Sequence, residues 1–131
     1  MFDCYRPQRA VNDFIAWARD LEDQTMKAQY YPSVAKADLF RLGYIAERSG
    51  HSRGSTIDLT IEGLDMGTPW DFFGVESHTR YPHAPQSVRA NRALLVSVMW
   101  RHGFTNYEKE WWHFTLSPEP LPHLYLDLPI E

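Results

Sequence analysis

Two imidazoles and two carboxylates stand out in this chain by their spacing. His51 and Asp58 lie seven positions apart in Ser49-Gly50-His51-Ser52-Arg53-Gly54-Ser55-Thr56-Ile57-Asp58, with a glycine between them. Glu110 and His113 sit together near the other end, in Glu110-Trp111-Trp112-His113. Two histidines and one carboxylate are a usual ligand set for a catalytic zinc ion. Such an ion keeps a position open for water and works beside a separate acid/base group. On this pattern His51, Asp58 and His113 are the ligands of one Zn2+ per chain, and Glu110 is the acid/base.

The spacing constrains the elements that carry them. Side chains on a strand alternate faces, so residues of equal parity point the same way. His51 and Asp58 differ in parity, so one regular strand cannot aim both at a single ion. Gly54 can take a positive φ or a bulge at little steric cost. His51 is therefore expected at a bend and Asp58 on the strand that follows. Glu110 and His113 also differ in parity, which suits a glutamate at the strand's entry, near the ion without ligating it.

Residues 8–22 read as an amphipathic helix, with Val11, Phe14, Ile15, Ala18 and Leu21 at helical spacing and Pro7 at its start. Residues 23–34 read as a polar loop, 35–42 as a short helix closed by Gly43, and 44–47 as a short strand. From 56 to 62 the pattern alternates. Ile57, Leu59 and Ile61 are expected to face the core, with Asp58 on the cleft side between Thr56 and Thr60. Residues 63–85 form a long excursion rich in Gly, Pro and His, a length that often serves function. Asp71 lies within it among Trp70, Phe72 and Phe73, as either a structural cap or a charged recognition point. His78 and His83 read as solvated loop histidines. Residues 87–102 are the clearest helix, with Ser87 as N-cap, Gly103 beyond its end, and Leu94, Leu95, Val98 and Met99 as its buried stripe. Residues 111–116 read as a strand with Trp112, Phe114 and Leu116 on its core face. Pro118, Pro120, Pro122 and Pro129 mark an extended tail laid over the domain.

Composition narrows the class. At 131 residues the chain is expected to be one domain, and its five Trp, seven Tyr and seven Phe suit a packed core. Thirteen basic against seventeen acidic residues give a net charge of −4, which argues against nucleic acid as a partner. No run approaches the ~18–20 apolar residues that span a bilayer, so no membrane partner is expected. No charged-then-apolar leader opens the sequence. The expected location is cytoplasmic, or periplasmic where a leader precedes it. Cys4 is the only cysteine, so no intrachain disulfide forms. It reads as a small buried thiol rather than a nucleophile.

The ordered set Ser49-x-His51-x-x-Gly54-x-x-x-Asp58 and Glu110-x-Trp112-His113 resembles the zinc D-alanyl-D-alanine dipeptidases of the VanX type. Three further stretches carry the resemblance: Tyr5-Arg6-Pro7-Gln8-Arg9-Ala10-Val11, Met66-Gly67-Thr68-Pro69-Trp70-Asp71-Phe72 and Gly103-Phe104-Thr105-Asn106-Tyr107. Relatives carry a longer stretch before the Tyr-Arg-Pro motif, so this chain is expected to be a short form. The resemblance implies an α+β fold of the hedgehog/D-Ala-D-Ala peptidase kind. In it a small antiparallel sheet lines a zinc cleft and helices pack on the sheet's other face. It implies hydrolysis of D-alanyl-D-alanine, a dipeptide built into cell-wall precursors, without a covalent enzyme intermediate. By the same resemblance Arg6 stabilises the oxyanion, Asp71 reads the substrate ammonium, and Ser49 and Tyr44 line the pocket. Two alternatives share the metal set: a zinc peptidase acting on murein stem peptides, and a zinc-stabilised binding module that has lost catalysis. Asp71, the Tyr-Arg-Pro start and the Glu-Trp-Trp-His string favour the dipeptidase.

Overall fold

Alternation along two short sequences builds the centre of this protein. The computed structural model describes residues 1–130. Strand β1 (Thr56–Asp58), β2 (Phe104–Asn106) and β3 (His113–Leu116) form an antiparallel sheet in the order β1-β3-β2. The register pairs Thr56 with Thr115, Ile57 with Phe114 and Asp58 with His113. Because side chains alternate, Ile57 and Phe114 turn to one face while both polar pairs share the other. The apolar face packs on Met66, Leu95, Met99, Trp111 and Trp112. Trp112 and Phe114 are wholly buried. Full burial of a side chain the size of Phe114 contributes roughly 1.5–3 kcal/mol. On the polar face Thr56 and Thr115 join hydroxyls at 2.9 Å.

The helices are α1 (Gln8–Arg19), the four-residue α2 (Lys27–Tyr30) and α3 (Gln86–Arg101), of which α3 packs against the sheet. A second core gathers Ala18, Tyr31, Val34, Leu39, Tyr44, Ile45 and Phe73 against Phe14 and Trp17 of α1. The architecture is α+β, with α3 on the apolar face of the sheet and α1 across the cleft from its polar face. Among the described residues no helix is long and apolar enough to cross a membrane.

Several elements differ from their sequence reading, each for a local reason. Helix α1 stops at Arg19 and leaves Leu21 half exposed. Asp20 and Asp23 accept from the backbone N–H groups of Glu22 and Thr25, and such side-chain bonds compete with helix. Residues 35–42 hold only a 3-10 turn, Lys36–Asp38. Tyr44 to Glu47 is not a strand, because the N–H groups of Tyr44 and Ile45 both donate to the Leu39 carbonyl. The strand read over 56–62 ends at Asp58, and β2 was not read as a strand. The strand read from Trp111 starts at His113. Cys4 is exposed, and His78 is half-buried with its Nε2 3.1 Å from the Tyr44 hydroxyl.

The stripe of α3 is the largest correction. Val88, Arg92, Leu95 and Met99 are the buried residues, whereas Leu94 and Val98 are exposed. Arg92 takes the inner face because the Met66 and His78 carbonyls meet its guanidinium. Nε and Nη2 donate to Met66 at 2.8 and 2.5 Å, and Nη1 donates to His78 at 2.7 Å. The helix is capped by Pro85 with no side-chain bond, so Ser87 is not its N-cap. Leu95→Ala should destabilise the protein by ~2–5 kcal/mol, the range for truncating a buried leucine. Chemical denaturation measures this, and a loss under ~0.5 kcal/mol would place that face in solvent.

The tail runs extended beside the N-terminal segment. Leu126 donates its N–H to the Ser52 carbonyl at 2.8 Å and accepts from the Gln8 N–H at 3.0 Å. The Tyr5 hydroxyl donates to the Leu128 carbonyl and accepts its N–H, and Arg9 pairs with Asp127.

Candidate active site

Cross-strand pairing sets Asp58 directly beside His113 on the polar face of the sheet. His51 reaches them from a 3-10 turn, Gly50–Arg53. Ser49 caps that turn, its Oγ accepting the His51 N–H at 3.2 Å. Gly54 ends it at φ 70°, a left-handed conformation that costs glycine little, and the chain then enters β1. The His51 ring is fixed by its Nδ1, which lies 2.7 Å from the Cys4 carbonyl oxygen. A carbonyl only accepts, so Nδ1 carries the proton and Nε2 is left with its lone pair. That Nε2 lies 3.3 Å from Asp58 Oδ1, and His113 Nδ1 lies 3.1 Å from the same oxygen.

One ligand atom from each of His51, Asp58 and His113 falls within 4.8 Å of the others. Asp58 is buried, yet its Oδ1 makes no hydrogen bond; its Oδ2 accepts from Trp70 Nε1 at 3.3 Å. A buried carboxylate oxygen without a hydrogen bond, facing two imidazole nitrogens, fits a cation bound by nitrogen and oxygen ligands. Burial alone would raise the Asp58 carboxyl. The two imidazoles outweigh it and hold the group below the usual carboxylate range.

Glu110 lies in the turn before β3, where its carbonyl accepts the His113 N–H at 3.2 Å and the Asn106 amide at 3.0 Å. Its Oε2 is 3.4 Å from His113 Nδ1, so it stands beside the three-residue cluster without belonging to it. Burial pushes its carboxyl well above the ordinary range, and the charges of Asp58 and Asp71 add to this against the pull of Arg6. A carboxylate tuned upward is a stronger base, better suited to accept a proton and hand it on.

Arg6 enters from the N-terminal segment. Its Nε and Nη2 both donate to Asp3 Oδ2, at 2.9 and 2.6 Å. Asp3 also pairs its backbone with Asp58: the Asp58 N–H donates to the Asp3 carbonyl at 2.8 Å. Asp71 is the one non-glycine residue at positive φ among the described residues, at 59°. That conformation is tolerable for aspartate, and strain of this kind gathers at working sites. Burial first, and the Asp58 charge second, push the Asp71 carboxyl up to about 7.

A cavity of about 310 Å³ lies over this cluster. Every residue singled out from the sequence lines it: Arg6, Tyr44, Ser49, His51, Asp58, Asp71, Glu110 and His113. Tyr44 stacks on Phe73 with centroids 5.5 Å apart. The sequence reading missed Asp3, Trp70 and the Cys4 carbonyl as supports. Opposite charges three apart in Asp3-x-x-Arg6 carried a signal for the first. A backbone carbonyl carries none.

A family model described as D-Ala-D-Ala dipeptidase, peptidase M15, matches residues 1–131. The D-alanyl-D-alanine dipeptidase of Streptomyces coelicolor is 45% identical over 136 residues, which cover 99% of this chain and 67% of that protein. The protein of the same name from Enterococcus faecium is 41% identical over 141 residues, covering 100% of this chain and 68% of its own length. Another from Enterococcus faecalis is 40% identical over 137 residues, with shares of 100% and 68%.

Proposed function

This chain belongs to the D-Ala-D-Ala dipeptidase family of peptidases, and from that premise we propose that it forms one zinc-dependent domain hydrolysing D-alanyl-D-alanine. The observation that carries the proposal is the convergence of His51, Asp58 and His113 donor atoms within 4.8 Å, with a buried Glu110 alongside. His51 through Nε2, His113 through Nδ1 and Asp58 through Oδ1 would hold one zinc ion. Zinc bound there supplies Lewis acidity toward the peptide carbonyl and acidifies water.

The chain's own groups do the rest. Glu110 takes the proton of the attacking water and returns it to the departing amine. Arg6 donates to the carbonyl oxygen as negative charge develops on it. Asp3 occupies Nε and Nη2 and thereby leaves Nη1 for that task. Tyr44 and Ser49 shape the wall, and the Ser49 hydroxyl keeps the His51 turn closed. Asp71 receives the substrate's ammonium group. In the free protein its carboxyl rises to about 7, and a cation beside it favours the ionised form.

A neutral amide in place of the ammonium leaves that carboxylate half-paired, which is costly at a partly buried site. Free D-Ala-D-Ala should therefore be hydrolysed, with kcat/KM about 10- to 100-fold above that of its N-acetyl form, as expected for a lost hydrogen bond to a charged group. Steady-state kinetics on the two compounds with added zinc test this. Equal cleavage would remove Asp71 from amine recognition and favour a murein stem-peptide peptidase.

A further inference from the structure

A dipeptide carries a carboxylate at the end opposite its ammonium. The cavity is hostile to it, because Asp58, Asp71 and Glu110 all contribute to the wall. A carboxylate can settle there only against a cation or aimed donors. Two arginines line the cavity, Arg6 and Arg48. Arg6 already faces a carboxylate, since Asp3 Oδ2 accepts two of its N–H groups.

Arg48 is placed differently. Its guanidinium lies 5.1 Å from the ring centroid of Tyr125 in the C-terminal tail, on an aromatic face rather than against an acid. Such a face restrains an arginine without neutralising it. Tyr125 is itself fixed by Arg53, whose Nη1 donates to its hydroxyl at 3.0 Å. The Arg53 charge is in turn met by Glu119, which accepts from Nε and Nη2 at 2.6 and 2.8 Å. Of the three arginines gathered here, Arg6 and Arg53 have acidic partners, whereas Arg48 has none among the described residues. A planar guanidinium matches a carboxylate with two parallel hydrogen bonds. Arg48 directly precedes Ser49, is exposed, and lines the same cavity as the His51-Asp58-His113 cluster.

We propose that Arg48 binds the free C-terminal carboxylate of the substrate, and so confines hydrolysis to peptides ending one residue beyond the cleaved bond. This assignment rests on the dipeptidase function proposed above.

The test compares zinc-loaded wild type, Arg48→Ala and Arg48→Lys on D-Ala-D-Ala and on D-Ala-D-alaninamide, which lacks the carboxylate. Wild type should prefer the free acid. Arg48→Ala should lose about tenfold in kcat/KM on the acid, chiefly through KM, and little on the amide, as befits a charge pair still open to solvent. Arg48→Lys should recover part of the preference, since it keeps the charge and loses the fork. An Arg48→Ala variant with the wild-type acid-to-amide ratio would overturn this assignment alone, whether its rates are unchanged or equally reduced. Wild-type protein that cleaves neither compound would overturn the dipeptidase function and this assignment with it.

Discussion

Glu110→Gln is expected to retain zinc at wild-type stoichiometry and to lose kcat by about 10²–10⁴-fold, the contribution of a positioned general acid/base. The two halves of that result come from separate geometric facts. Glu110 stands outside the three-atom cluster, so the donor set survives its replacement. Its Oε2 nevertheless lies 3.4 Å from His113 Nδ1, close enough to serve a water at the same centre. Glutamine preserves the shape and removes only the ability to take up a proton. Metal analysis beside steady-state kinetics reads both halves. Loss of the metal would make Glu110 a ligand, and a rate near wild type would move the base elsewhere.

His113→Ala is expected to abolish stoichiometric zinc and, with it, all measurable turnover. Outer-shell changes at metal sites cost about 10–100-fold in affinity, and removal of a direct ligand costs more. Without His113 the pair that remains is His51 and Asp58, too few for a stable tetrahedral site. The variant should still fold, because His113 is only half-buried, whereas its neighbours Trp112 and Phe114 supply the core. Metal content by atomic absorption, with circular dichroism to establish folding, decides the matter. A folded variant with normal zinc would remove His113 from the ligand set.

What the sequence made legible follows the range of the interactions involved. Opposite parity of His51 and Asp58 was enough to expect a bend at His51 and a strand at Asp58, and Gly54 supplies the turn between them at φ 70°. Alternation over Ile57 and Phe114 foretold which face of the sheet is core. Partners distant in sequence were not legible. Arg92 occupies the inner face of α3 because carbonyls of Met66 and His78 meet it there, and no helical periodicity of apolar residues encodes that. Leu94 and Val98 were misplaced for the same reason. The support that Asp3 gives Arg6 lay within reach of a short-range charge pattern. The bond from His51 to the Cys4 carbonyl did not, since every residue has a carbonyl.

The extended tail has a consequence for synthesis. Tyr5, Gln8, Ser52 and Arg53 are translated well before their partners Leu128, Leu126, Glu119 and Tyr125. A nascent chain that has emerged through β3 already carries both histidines and their carboxylates. It lacks the extended segment that ties the N-terminal segment to the His51 turn, and the ring on which Arg48 rests. Such contacts, distant in sequence, close late. Formation of a complete cleft is thereby coupled to synthesis of the tail, and a ribosome stalled before Tyr125 would present an unfinished one.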